Sequence, residues 1–337
     1  MIDFSENTNK ASSTLQLENV LKKNVHLVKS YPDYNNGEIR GLIKKYFGIS
    51  SEHIALGVGS TQLLFDIPKL LTYKRAVVIV PTFWEYTAFN TLFNKKIIKV
   101  QLSSSEDFAP DFALIRKTIK SGDCVFIANV NSPTSVLYKK SELLALINDY
   151  PEVQFVIDET FLIFRKDFVK QSLLKEAPER KNLIVVMSFS KFFTLSGARV
   201  GFFTSHVSLV EKYNKFFQIP YSLGPLTQVA LAFQLKDAAK IAKVRDFYQT
   251  EREAQYLRIK DKLKGRLYPI RPDGNFIMCR VQTGQTGWDI KIALQKKGIL
   301  IRSGHELNDI SGEWVRFCIL SKKENILLLK HLDQVLN

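Results

Sequence analysis

The chain has 337 residues, 45% of them hydrophobic and 24% charged, with a formal net charge of +15. That balance belongs to a globular protein and excludes long disorder, a collagen repeat and a coiled-coil rod. No apolar run approaches the ~20 residues that span a bilayer, and the opening Met1–Lys10 segment lacks a basic stretch leading into an apolar core, so neither membrane integration nor a secretory signal is expected.

Residues 1–30 are polar and short of regular pattern. Apolar residues then recur at helical spacing over 37–47 (Ile39, Leu42, Ile43, Phe47), and a turn-like Gly-Ile-Ser follows. Beyond it, helices and apolar runs alternate. Helices are predicted over 62–71, 84–93, 112–119 and 143–150, and strands over 76–80, 97–102, 124–128, 155–157, 183–187 and 200–203. Continuous apolar runs such as Ala76-Val77-Val78-Ile79-Val80 read as strands buried on both faces, which predicts an α/β fold with a mainly parallel sheet between helices. From Ser208 long helices take over, predicted over 228–235 and 243–263. After Gly265 come strands over 276–281, 299–302 and 314–319 and helices over 288–296 and 323–335. The expected division is a large domain over 36–225 and a smaller α+β domain formed by 1–35 and 226–337.

Cys124, Cys279 and Cys318 each sit in an apolar run and read as reduced core thiols of a cytoplasmic protein. The five histidines have no metal-ligand spacing with them, so no metal is expected. The excess of basic residues comes as dispersed doublets, among them Lys44-Lys45, Lys139-Lys140 and Lys296-Lys297. Doublets of this kind read as solvated helix faces, and no nucleic-acid-binding motif accompanies them.

Polar residues at the carboxyl ends of strands line the site in open α/β sheets. Asn129-Val130-Asn131-Ser132 follows one apolar run, Asp158-Glu159-Thr160-Phe161 another and Ser188-Phe189-Ser190-Lys191 a third. Singly, Asp158 reads equally as a helix cap or ion pair, and Lys191 as a solvated loop lysine. Together they place an acid and an amine at one sheet edge.

The segment from Ser188 to Gly201, with Ser188 three positions before Lys191 and Arg199 eight after it, resembles the lysine segment of fold-type I pyridoxal-phosphate (PLP) enzymes, the aspartate aminotransferase superfamily. Asp158-Glu159 resembles the acidic motif of that family, Gly57-Val58-Gly59-Ser60-Thr61 its glycine-rich turn, and Tyr31-Pro32-Asp33 a tyrosine motif contributed across a dimer interface. Arg302 and Arg316 resemble the two C-terminal substrate arginines of the histidinol-phosphate aminotransferase branch.

The resemblance implies PLP as cofactor, a homodimer, and a phosphorylated amino acid as substrate. It implies that Lys191 bonds the cofactor and that Asp158 faces the ring nitrogen, where a carboxylate favours the protonated ring. Ser60, Thr61, Ser188 and Arg199 would bind the cofactor phosphate, joined by Tyr31 of a second subunit, and Phe83 would cover the ring. Asn7, Arg302 and Arg316 would bind substrate. The opening Asp3-Phe4-Ser5-Glu6-Asn7 and Pro81-Thr82-Phe83-Trp84-Glu85-Tyr86 resemble the threonine-phosphate decarboxylase branch, which serves cobalamin-type corrinoid synthesis. So does Phe161, where the aminotransferase branch carries Tyr. Ser132 departs from an Asn that contacts the cofactor's ring oxygen in both branches, and Asn131, one residue earlier, is the candidate substitute. Lys10 stands where those relatives have Pro, and the Gly-Pro cluster that follows is absent. The sequence thus favours a PLP-dependent decarboxylase of O-phosphothreonine or O-phosphoserine type over a histidinol-phosphate-type aminotransferase. A non-catalytic PLP-fold binding protein is the reading of another class.

Overall fold

The computed structural model describes residues 1–11 and 15–337. A short strand β1 (Ile2–Asp3) is followed by α1 (Leu15–Asn24), a helix within the stretch read as irregular. That helix buries only Leu17, so it leaves almost no apolar periodicity to detect. Helix α2 (Gly37–Phe47) buries Ile39, Ile43 and Phe47 along one face and stops at Gly48, whose left-handed φ of 70° lets its N–H close on the Lys44 carbonyl.

The alternating region then runs β2 (Ile54–Gly57), α3 (Gly59–Leu70), β3 (Arg75–Val80), α4 (Glu85–Leu92), β4 (Lys96–Gln101), α5 (Phe112–Thr118), β5 (Cys124–Ala128), α6 (Lys140–Asp149), β6 (Gln154–Asp158), α7 (Phe168–Gln171), β7 (Leu183–Ser188) and β8 (Gly201–Thr204). Its seven strands form one sheet in the order β2-β8-β7-β6-β5-β3-β4. The five strands from β7 to β4 are parallel, whereas β8 is antiparallel to both β7 and β2. Strand β2 was not expected. It is four residues long and fully buried, too short for periodicity to separate it from the turn that follows.

Both faces of this sheet are covered. Val77, Ile79, Val125, Ile127, Ile157 and Val185 point into one layer with Ile39 and Ile43 of α2 and Leu143 and Leu146 of α6. Ala76, Val78, Val80, Phe126, Val156 and Ile184 point into the other with Leu63, Leu64 and Ile67 of α3. Strict alternation on a sheet buried on both sides is why the strands read as unbroken apolar runs.

Helices α8 (Val207–Phe216), α9 (Pro225–Lys236) and α10 (Ala238–Lys262) lead to β9 (Leu267–Pro269), β10 (Phe276–Val281), α11 (Gly287–Lys296), β11 (Ile299–Leu300), β12 (Arg302–Ser303), β13 (Trp314–Cys318) and α12 (Lys322–Val335). A second sheet has the order β12-β13-β10-β9, all antiparallel. The strand expected over 299–302 is divided at Ile301: β11 pairs with β1, and β12 with β13. Thr286 and Ser321 open α11 and α12 with capping boxes closed by Asp289 and Glu324. Cys124, Cys279 and Cys318 are buried and unpaired. Among the described residues no helix is long and apolar enough to cross a membrane, and no cluster of side chains is arranged to hold a metal ion.

Candidate active site

Two antiparallel steps bring β2 back into the direction of β7, so the end of β2 and the start of β8 lie at the edge where β3, β5, β6 and β7 end. Gly201 stands between Gly57 and Ser188 in register. A Cβ on Gly201 would fall 2.6 Å from the Ser60 amide nitrogen and 3.0 Å from the Met187 carbonyl, so only glycine lets the α3 turn close onto this edge. Gly59 is constrained mainly by its φ of +76°, and a Cβ there would lie 2.7 Å from an Arg199 Nη. Ser60 and Thr61 in the first turn of α3, Ser188 at the end of β7 and Arg199 therefore form one cup, with amide donors that helix geometry leaves unpaired.

The cup opens into a cavity of about 490 Å³. Lys191, Asp158, Phe83, Ser132, Phe161, Asn7, Arg302 and Arg316 also line it, so apart from Tyr31 and the candidate substitute Asn131 every sequence-predicted site residue meets there. Tyr31 is 85% exposed and packs its ring 5.2 Å from that of Tyr221, away from this chain's own cavity.

Asp158 ends β6 and is 8% exposed. One of its oxygens accepts from the Thr160 amide at 2.9 Å and the other from the Tyr86 hydroxyl at 2.9 Å. Burial raises its pKa, while these donors oppose the rise. Among the described residues no cation pairs with it. Glu159, the next residue, faces away from the cavity: its carboxyl accepts from the Leu173 amide at 2.6 Å and the Ser172 hydroxyl at 2.5 Å, and burial pushes it up to about 7. The acidic motif thus supplies one site carboxylate and one structural anchor.

Lys191 is lowered below an ordinary lysine by burial, with Arg316, Arg199 and Arg302 adding to the effect and Glu6 opposing it. Its backbone carbonyl accepts from the Asn9 amide at 2.9 Å. The N-terminal segment crosses the cavity, held also by Arg316 Nη2 donating to the Ser5 carbonyl at 2.8 Å and Asn275 Nδ2 donating to the Asn7 carbonyl at 3.1 Å. Arg316 and Arg302 sit opposite each other on β13 and β12. Arg316 is buried, stacks 5.6 Å from the Phe276 ring and leaves its Nε without a partner. Burial, with the Arg302 charge adding, pushes it down to about 10. Arg302 is held by Glu306 at 3.2 Å, a carboxylate it shares with Lys291.

Asn131 does not take the place of the missing Asn. Its Oδ1 accepts from the Thr82 hydroxyl at 2.9 Å, and its Nδ2 donates to the Pro81 carbonyl and to Thr134 Oγ1, both at 2.8 Å. The amide is consumed in holding two loops together, and Ser132 is the residue that lines the cavity. Sequence reasoning missed Tyr86 as the partner of Asp158, and also Ser190, Ser196, Glu6 and Glu306 on the wall. Ser190 was detectable as the hydroxyl immediately before the lysine, whereas nothing in the sequence pairs Tyr86 with Asp158, 72 positions away.

The donor set fits PLP. A phosphate needs the amides and hydroxyls of the cup together with Arg199, and a buried carboxylate without a cation suits a protonated ring nitrogen. The aldehyde needs an amine that loses its proton readily. Arg316 Nε, buried on the cavity wall without a partner, marks the pocket as built for a polar occupant.

The family model for aminotransferase class I and II matches residues 1–332. A protein of Caldanaerobacter subterraneus subsp. tengcongensis named as a threonine-phosphate decarboxylase is 26% identical over 311 residues, covering 90% of this chain and 82% of its own. The histidinol-phosphate aminotransferase of Thermococcus gammatolerans is 28% identical over 302 residues, covering 88% and 82%. The crystal structure of the L-threonine-O-3-phosphate decarboxylase of Porphyromonas gingivalis superposes with a TM-score of 0.87 at 22% identity, over 100% of this chain and 99% of that one, and so shares its fold. With the family model matched along nearly its whole length, the chain belongs to the aminotransferase class I and II family of PLP-dependent enzymes.

Proposed function

We propose that this enzyme acts on a small amino acid carrying a phosphate, with decarboxylation of an O-phosphothreonine- or O-phosphoserine-type substrate as the leading reaction. The observation that carries this reading is the Arg302–Arg316 pair, placed across two strands on the wall of the cavity that holds Lys191. Arg316 keeps an unpartnered Nε, and Arg302, held by Glu306 through Nη1 alone, keeps further donors, so the pair suits a ligand with two anionic groups. Arg316, the more buried, is assigned to the carboxylate and Arg302 to the phosphate.

Ser60, Thr61, Ser188, Ser190 and Arg199 are assigned to the cofactor phosphate, Asp158 to the ring nitrogen, Lys191 to the aldehyde and Phe83 to the ring face. When bound, PLP supplies an electron sink conjugated to the substrate's α-carbon. Lys191 holds or moves the proton at that carbon, and Asp158 keeps the ring nitrogen protonated. Arg316 fixes the orientation of the carboxylate, and that orientation decides which bond at the α-carbon weakens. Phe161, which lacks the hydroxyl of the aminotransferase branch and packs its ring 5.0 Å from Phe276, favours the decarboxylase reading.

Transamination of a histidinol-phosphate-type substrate is the second reading, supported by a relative of that name at 28% identity. Purified enzyme given O-phosphothreonine, O-phosphoserine or histidinol phosphate, with and without 2-oxoglutarate, separates the two. Carbon dioxide released without a keto acid is expected. Glutamate formed from 2-oxoglutarate without carbon dioxide would replace the first reading by the second.

The chain is further proposed to act as a homodimer, with a large unit over 36–225 and a small one from 1–35 and 226–337. Val28, Tyr31, Tyr34, Ile219 and Tyr221 are exposed large side chains on neighbouring segments, as expected of a surface that a second copy covers.

A further inference from the structure

Glu85, the first residue of α4, is half-buried, and its Oε2 is fully shielded from solvent without a hydrogen-bond partner. A carboxylate oxygen in that position needs a reason. The charged and titratable groups facing it are Arg199 of the cup, Asp158 at the end of β6, Lys191 after β7 and the adjacent Tyr86, and the Thr61 side chain supports its ionised form. Thr61 and Arg199 are the same groups assigned above to the cofactor phosphate. A phosphate seated between them adds negative charge beside a carboxyl already close to Asp158. A neighbouring negative charge disfavours an ionised carboxyl, so the added charge favours the neutral form of Glu85.

We propose that Glu85 is a proton-linked positioning residue of the phosphate cup: as the cofactor phosphate binds, Glu85 takes up a proton from solvent, and it returns that proton when the cofactor leaves. In its protonated form the carboxyl gives the phosphate a neutral neighbour, and Arg199 is left to pair with the phosphate alone. Cofactor retention is thereby coupled to pH through a side chain that touches neither the α-carbon nor the ring nitrogen. Burial, which already raises the Glu85 pKa above the ordinary glutamate value, acts in the same direction.

The inference rests on the assignment of this cavity to PLP, and its test separates the two. PLP dissociation constants are measured for the full-length wild type and for Glu85→Gln from pH 5.5 to 9 by cofactor absorbance. The ratio of wild-type to variant constants is expected to rise with pH by about tenfold, equivalent to one pKa unit of coupling. The phosphorus resonance of the bound cofactor should titrate in the wild type beyond whatever titration the variant shows. A merely structural role would change affinity by the same factor at every pH. A constant ratio with superimposable phosphorus titrations overturns the proposal and leaves the cofactor assignment standing. A wild type without a cofactor band overturns both. Should Glu85→Gln not fold, the wild type decides alone: PLP binding must take up more protons than binding of pyridoxal, which lacks the phosphate, after correction for the phosphate's own ionisation, and equal uptake overturns the proposal.

Discussion

At the scale of single residues, the site turns on how a buried acid and a partly buried amine are kept useful. Asp158 has two donors, the Thr160 amide and the Tyr86 hydroxyl, and both favour its ionised form against the cost of burial. Asp158→Asn keeps the shape and loses the charge, and should weaken cofactor binding by about 1.5–3 kcal/mol, the worth of a hydrogen bond to a charged group. Tyr86→Phe removes one supporting donor and should cost about 1 kcal/mol. Titration of cofactor absorbance checks both, and equal affinity in all three proteins would contradict the role of Asp158. Lys191 gives a pH prediction. Burial and three arginines lower it, so the neutral amine is present at lower pH than in an ordinary lysine. Cofactor attachment to the apoprotein should rise with pH, with its midpoint below the 10.5 of a free lysine. An inflection at or above that value in a pH series would argue against the buried environment. Lys191, Asp158 and Arg199 were picked out by their offsets, through the family resemblance, and the structure brings all three to one cavity. Tyr86 was not, because its meaning comes from a contact with a distant strand, and Asn131 misled because sequence does not show which loop consumes an amide.

Whole elements make the cup, and glycine decides whether they close. Gly59→Ala and Gly201→Ala look alike in sequence but should fail differently. At Gly59 the new methyl meets the far end of Arg199, a side chain that can move, while the left-handed φ of +76° costs about 1–2 kcal/mol. That variant should stay folded with weakened cofactor binding. At Gly201 the methyl meets backbone, 2.6 Å from the Ser60 nitrogen. Backbone cannot yield without moving β2 or α3, so stability should fall by about 1–3 kcal/mol or more. Thermal unfolding set beside cofactor titration distinguishes the two, and a Gly201→Ala protein as stable as wild type would refute the close approach. The parallel strands and α2 were readable from sequence because burial on two faces, or along one helical stripe, dictates a pattern. Strand β2 and helix α1 were not, since one is four residues long and the other buries a single side chain.

For the molecule as a whole, the question is whether one chain suffices. Tyr31 lies outside its own cavity and beside other exposed aromatic rings. If it serves a neighbour's site, Tyr31→Ala and Lys191→Ala subunits are each defective but lack different parts. Mixing them after mild dissociation should restore activity, because a hybrid dimer contains one site with both residues intact. Activity no greater than the sum of the separate variants would place Tyr31 outside the site. The tyrosine motif was visible in sequence, but which subunit it serves is a property of the assembly, which a single chain's pattern does not encode.

The antiparallel pairing of β2 with β8 also has a consequence for synthesis on the ribosome. Gly57, Gly59, Ser60 and Thr61 emerge early, yet the strand that pins them begins at Gly201. Until that later segment has cleared the exit tunnel, the first turn of α3 lacks the β8 backbone it closes onto, and Arg199 is not in place to complete the cup. The nascent chain therefore carries the early strands of its sheet without a completed cup, and on the proposed assignment cofactor capture is a late event that reports on the closing of the sheet's far edge.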